Sequence, residues 1–113
     1  VKITLPYPPA TNNLYATVRG RRVKTQRCRD FHADVHALAL EAGIKRMAGE
    51  LSLSVDIYRP RRSGDLDNTL KIIQDSLTGL AWDDDSQVVE IHARRFDDKD
   101  NPRAVITIQE VTR

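Results

Sequence analysis

One cysteine, Cys28, occurs in 113 residues. That scarcity excludes an internal disulfide and a four-cysteine zinc site. A lone thiol fits a reducing compartment, so the cytoplasm is the expected location. No apolar run approaches the roughly 18 residues needed to cross a bilayer, and no membrane partner is expected. The N-terminus has no basic segment leading into an apolar one, so no signal peptide is expected there. Glycine-rich phosphate loops are missing, and Gly43 and Gly49 read as helix ends. His32 and His36 lie four apart, a spacing that suits a metal pair, but no glutamate stands between them as in HExxH. His92 falls in a predicted strand, and all three histidines read as structural or surface groups. Cys28 has basic neighbours, but no base is evident to make it a nucleophile.

Apolar residues make up 40% of the chain and charged residues 30%, which suits a globular protein. The length suits one domain, expected over residues 1–113, with no linker, internal repeat or low-complexity tract. So short a chain leaves much of its surface exposed, which favours a homodimer.

The net charge is only +2, but its distribution is uneven. "RGRRVKTQRCR" carries Arg19, Arg21, Arg22, Lys24, Arg27 and Arg29 with no acidic residue, and "YRPRRSGD" adds Arg59, Arg61 and Arg62. Acid gathers at Asp83–Asp85 and Asp97–Asp100. Clustered arginine beside clustered aspartate points to a polyanion held near a metal, because the cations contact phosphates. Unevenly solvated surface charge is the alternative.

The apolar spacing predicts the elements. "VKITLPY" alternates as a strand with Val1, Ile3 and Leu5 on one side, and "PPATNN" is a turn or loop. "LYATV", Gly20 and "RRVKT" form a basic hairpin. A helix runs from about Asp30, with Phe31, Val35, Leu38 and Ala42 on one face and Lys45 and Arg46 near its C-terminal end, where cations complement the dipole. Leu51, Leu53, Val55 and Ile57 mark a strand ended by Pro60. A second helix starts near Asp67, carries Leu66, Leu70, Ile73 and Leu77 on its apolar face, and stops at Gly79. "SQVVEIHARRF" and "AVITIQEV" are strands around the turn "DDKDNPR". The predicted fold is α+β, a compact two-layer sandwich of a mixed sheet with two main helices.

The acidic residues are where the chemistry concentrates. Asp67, Lys71 and Asp75 follow i, i+4, i+8 spacing and share a helix face turned from the apolar stripe. A purely structural account makes Asp67 or Asn68 an N-cap and Lys71–Asp75 a surface pair worth ~0.3–0.5 kcal/mol. It leaves Asp65 and the triplet Asp83–Asp85 unexplained. A loop from Gly79 to Gln87 would bring the triplet back beside Asp65 and Asp67. Crowded carboxylates repel unless a cation compensates, and hard divalent ions such as Mg²⁺ take oxygen ligands together with substrate phosphate. Lys71 would then offset charge on phosphoryl oxygens. Trp82, beside the aspartates, reads as core.

"LPYPPATNN", the basic stretch, "DLDNTLKIIQDSL" and "WDDDSQV" occur in an order that resembles the RusA family of Holliday junction resolvases, endodeoxyribonucleases often associated with prophages. The resemblance spans nearly the whole length. It implies Mg²⁺ or Mn²⁺ held by acidic residues, with Asp65, Asp67 and Asp85 as catalytic aspartates and Lys71 as the functional lysine. The family's aspartate pair corresponds to Asp84 and Asp85, so Asp84 joins Asp65, Asp67 and Asp85 as a metal ligand. Asp83 is an extra acid, which leaves open which of the three bind metal. Asp75 also matches, as ligand or as partner to Lys71. Asn12 and Asn13 match a polar element that contacts DNA or the second subunit. The resemblance further implies a homodimer that cuts opposing strands of a four-way junction. On that reading the arginines of 19–29 and 59–62 hold phosphates rather than read bases.

Two readings compete with a junction resolvase. One is a less structure-selective metal-dependent nuclease. The other is a non-catalytic branched-DNA-binding protein whose acids only cap helices and balance charge.

Overall fold

The computed structural model describes residues 1–9, 14–61 and 67–111, with the backbone alone at Asp67 and Asn68. Strand β1 (Lys2–Pro6) precedes a hairpin of β2 (Tyr15–Val18) and β3 (Arg21–Lys24). Helix α1 (Gln26–Glu41), strand β4 (Leu51–Arg59) and helix α2 (Asp67–Leu77) follow, then a 3-10 turn at Asp85–Gln87, β5 (Val88–Asp97) and β6 (Arg103–Glu110). The class is α+β, and the element order is that expected from the apolar spacing.

Four strands form one mixed sheet in the order β1-β6-β4-β5, while β2 and β3 pair separately. Strand β4 is antiparallel to β6 and parallel to β5. Parallel neighbours cannot be joined by a tight turn, and α2 provides the crossover. Alternation along β4 sends Leu51, Leu53, Val55 and Ile57 into the core beside Ala104, Ile106 and Ile108 of β6. Ile3 and Leu5 of β1 join them, but Val1 is exposed. The helices close this face with Phe31 and Val35 of α1 and Ile72, Ile73 and Leu77 of α2.

The opposite face of the sheet carries a ladder of cations and rings. The Arg103 guanidinium lies 3.8 Å from the Tyr58 ring centre, Tyr58 stacks on Phe96 at 5.0 Å, and Arg94 sits 5.5 Å from Phe96. Arg94 also donates to both carboxylate oxygens of Asp56, at 2.9 and 3.0 Å. These cross-strand contacts join β6, β4 and β5, and they favour the observed register.

Several local expectations are corrected. Helix α1 begins at Gln26, not near Asp30, because the Thr25 hydroxyl accepts from the Cys28 N–H and caps it there. Cys28 is its first buried residue, whereas Ala42 is exposed. Its last turn holds no basic residue. The chain leaves the helix at Ala42 and turns at Gly43, whose φ of +70° favours glycine, so Lys45 and Arg46 lie beyond the dipole's reach. Gly49, φ +79°, precedes β4 and ends no helix. The hairpin forms as expected, turning through Arg19 and Gly20 with φ of 53° and 76°, the paired positive values of a tight two-residue connection. Trp82 is fully buried, as expected.

Candidate active site

The α2 residues at the centre of the acidic motif share one exposed face. Lys71 Nζ lies 3.6 Å from Asp75 Oδ2, one turn on, with 77% of the lysine side chain exposed. This face has a partner from outside the helix. Leu70, Lys71, Gln74, Asp75 and Asp85 line a cleft of about 330 Å³. Asp85 arrives there because α2 stops, Trp82 anchors in the core, and the chain turns before β5. The Trp82 indole N–H donates to Thr78 Oγ1 at 3.0 Å, and the Gly79 N–H donates to the Trp82 carbonyl.

The three consecutive aspartates do different work. Asp83 accepts from Arg46 Nη1 at 3.1 Å, while Arg46 Nε donates to the Gly79 carbonyl. Asp84 caps the 3-10 turn, its Oδ1 accepting from the Ser86 N–H at 3.0 Å. Gln87 Oε1 accepts from the Asp83 and Asp84 N–H groups, and its Nε2 donates to the Met47 and Gly49 carbonyls. The Ser86 amide, above all, holds the Asp84 carboxyl below its ordinary value. Asp85 alone of the three lines the cleft beside Lys71 and Asp75.

A smaller cavity of about 70 Å³ continues toward the hairpin and shares Lys71 and Asp75 with the cleft. Its other walls include Leu14, Tyr15, Arg22, Cys28 and His32. The Arg22 guanidinium stacks 4.2 Å from the Tyr15 ring centre. Burial, with Lys24 nearby, pushes the His32 imidazole below its ordinary value, and Asp75 pulls it the other way. The acidic cleft and the basic hairpin are therefore neighbours.

Among the other cations, Arg19, Arg21, Arg22 and Lys24 stand exposed on the hairpin, and Arg27 and Arg29 on the first turn of α1. Arg29 donates to the Lys24 carbonyl and to Gln26, tying helix to hairpin. Arg61 is exposed, whereas Arg59 is only 12% exposed and pairs with Asp97 at 2.8 Å. Asn12, Asn13, Arg62 and Asp65 lie outside the described residues, as does the Asp67 side chain. Among the described residues no three carboxylate, imidazole or thiol side chains come together at ligand spacing. Sequence reasoning alone misses Gln74 in the cleft and Arg46 behind Asp83. Gln74 stands three residues after Lys71, so helical spacing carries that signal. Nothing local announces Arg46.

The donor set suits a hard cation, because the cleft offers carboxylate oxygens and no thiolate. A cleft lined by carboxylates beside a cationic hairpin, on an α+β scaffold, has the charge pattern that suits a phosphate polyanion. The family model for endodeoxyribonuclease RusA matches residues 6–109. The crossover junction endodeoxyribonuclease RusA of Escherichia coli K12 is 31% identical over 112 residues, covering 96% of this chain and 93% of that protein. The crossover junction endodeoxyribonuclease of Enterobacteria phage 82 is 34% identical over 115 residues at the same coverage. Over a shorter stretch of 56 residues, the uncharacterized protein YqaN of Bacillus subtilis is 38% identical, covering 50% of this chain and 39% of that protein. The chain belongs to the RusA family of endodeoxyribonucleases.

Proposed function

We propose that this protein is a crossover junction endodeoxyribonuclease, a Holliday junction resolvase that works as a homodimer in the cytoplasm. Each subunit would hydrolyse one phosphodiester of a four-way DNA junction. The observation that carries the reading is the convergence of Lys71, Asp75 and Asp85 on one cleft next to the basic hairpin, in a chain of this family.

Asp65, Asp67 and Asp85 would hold a divalent cation of the Mg²⁺ or Mn²⁺ class, with Asp84 at the same turn. Such an ion supplies activation of water and stabilisation of the oxyanion that leaves. Lys71, exposed at the cleft, neutralises charge that builds on the phosphoryl oxygens. Asp75 orients Lys71 through their ion pair. Arg19, Arg21, Arg22, Lys24, Arg27, Arg29, Arg61 and Arg62 hold phosphates around the cut and fit the junction's shape. Arg59, paired with Asp97, steadies the end of β4 beside them. Two symmetric cuts need two sites related by a two-fold axis, which a homodimer provides.

The test is strand cleavage of a synthetic four-way junction and a matched linear duplex, in Mg²⁺ and in EDTA. Paired symmetric nicks in the junction alone, lost in EDTA, are expected. Cutting of both substrates would make this a less selective nuclease. Tight junction binding without any cut would make it a branched-DNA-binding protein.

A further inference from the structure

Strand β5 is an edge of the sheet that nothing covers among the described residues. The opposite edge, β1, has five residues and ends at Pro6, whereas β5 runs ten residues without proline or glycine. Of the usual protections against pairing with another chain, β5 lacks a short span and a proline. It has a register shift near Val89 and charged side chains of both signs, which oppose a random partner and suit a complementary one. Its apolar side chains are also open, with Val89 38%, Ile91 40% and Phe96 39% exposed. A second copy of β5, antiparallel about a two-fold axis, would partner its open backbone edge and pack against Ile91.

The sequence of β5 selects the register. Antiparallel partners must lie on the same face of the sheet, so the axis passes through a residue rather than between two. With the axis at His92, Glu90 faces Arg94 of the second copy on one side of the sheet, and Ile91 faces Ala93 on the other. With the axis at Ala93, Glu90 meets Phe96, and both His92 and Ile91 meet arginines. At Arg94 the two guanidinium groups oppose each other. An axis at Ile91 leaves three residue pairs, because the register shift near Val89 interrupts the strand.

Arg94 can take the extra partner. It carries five N–H donors, and Asp56 receives two of them, from Nε and Nη2. Glu90 receives only long contacts, from Ser52 at 3.4 Å and His92 at 3.3 Å.

We infer that the β5 edges of two copies pair antiparallel about His92, extending each four-stranded sheet into one of eight strands. The inference rests on the homodimer of the proposed function and names its surface. The axis stands perpendicular to the sheet, so both helix layers lie on one side, with both clefts on the face that would meet the junction. Asp85 precedes the axis residue by seven positions.

The test uses the full chain, by sedimentation and by cross-linking. Wild-type protein is expected to sediment as a dimer. Residues directly opposite across antiparallel strands have Cα atoms about 4.5–5.5 Å apart, within the span of a disulfide. His92→Cys therefore cross-links to itself on mild oxidation, while Thr107→Cys on β6 does not, and the native Cys28 is buried. Glu90→Arg opposes like charges and weakens dimerisation at least tenfold with an unchanged circular dichroism spectrum. A wild-type dimer in which His92→Cys fails to cross-link and Glu90→Arg stays dimeric overturns the β5 interface and leaves the homodimer standing. A monomeric wild-type chain overturns both, and junction cleavage is scored separately.

Discussion

Arg46 and Asp83 form an ion pair at 3.1 Å across 37 positions of sequence, and the same guanidinium holds the Gly79 carbonyl at 2.9 Å. The contact ties the segment after α1 to the turn after α2. It gives the first of three consecutive aspartates a structural partner, while the third lines the cleft. Asp83→Asn should accordingly cleave a four-way junction at close to the wild-type rate. Asp85→Asn should abolish detectable cleavage while still binding the junction. Parallel cleavage and gel-shift assays decide this, and an inactive Asp83→Asn protein with normal folding would refute the division of labour.

Much of this is legible in the sequence because it depends on near neighbours. Strand β4 alternates without a fault, and Leu51, Leu53, Val55 and Ile57 are all buried. The hairpin announces itself through Gly20 between "LYATV" and "RRVKT". The start of α1 escapes the periodicity because its signal is a cap at Thr25 and a buried cysteine, not the apolar spacing that begins at Phe31. The roles of Asp83 to Asp85 are hard to read for a different reason. Asp83 depends on Arg46, brought close only by the fold. Asp84 and Gln87, by contrast, stand at the spacing of a capping box, a local signal that gives Asp84 a capping role.

Lys71 is the cleft's exposed cation, and its ion pair with Asp75 bridges one helical turn at 3.6 Å. Lys71→Met should fold normally, since an exposed pair of this kind contributes little to stability. Its single-turnover cleavage should fall by about 10²–10³, the usual decrease when one stabilising group is removed from a charged transition state. Junction affinity should change little. Equal decreases in binding and in rate would instead make Lys71 a phosphate anchor.

Trp82 is fully buried, and its indole N–H has Thr78 Oγ1 as acceptor at 3.0 Å. Thr78→Val keeps the side-chain shape and leaves that donor without its partner. An orphaned buried donor costs about 1–3 kcal/mol, and Trp82→Ala should cost about 3–5 kcal/mol through its cavity. Denaturant titrations followed by the fluorescence of the sole tryptophan serve for wild type and Thr78→Val, and circular dichroism for Trp82→Ala. A neutral Thr78→Val would show that the indole finds another acceptor.

Asp98 accepts from Arg103 Nη1 at 2.9 Å and from the Asn101 N–H at 3.1 Å, closing the turn between β5 and β6. The Arg103 hydrogen bond, first among the causes, holds the Asp98 carboxyl below its ordinary value of 3.8. The unfolded chain therefore binds this proton more readily than the folded one. The stabilisation is complete above the ordinary carboxylate value and is lost as pH falls through the depressed folded value. Asp98→Asn should be less stable than wild type at pH 7, and the gap should narrow below about pH 4. A gap constant down to pH 2 would show that the aspartate acts through shape and not charge.

The hairpin carries Arg19, Arg21, Arg22 and Lys24 away from the main sheet, exposed throughout. Arg19→Asn removes a charge while tolerating the φ of 53° at that turn, and Arg21→Gln removes another. Removing one cation that neutralises a phosphate should reduce the slope of log affinity against log salt by about 0.9, with no change in unfolding midpoint. Gly20→Val removes no charge, but at φ +76° it strains the turn whatever the space around it. Its affinity should fall as well, because displaced cations no longer meet the phosphates together. Anisotropy titrations of a labelled junction in EDTA, across a range of KCl, separate the two effects. If Arg19→Asn and Arg21→Gln leave the salt slope untouched, neither of these arginines holds a phosphate, and the DNA path must run over the remaining cations around the cleft.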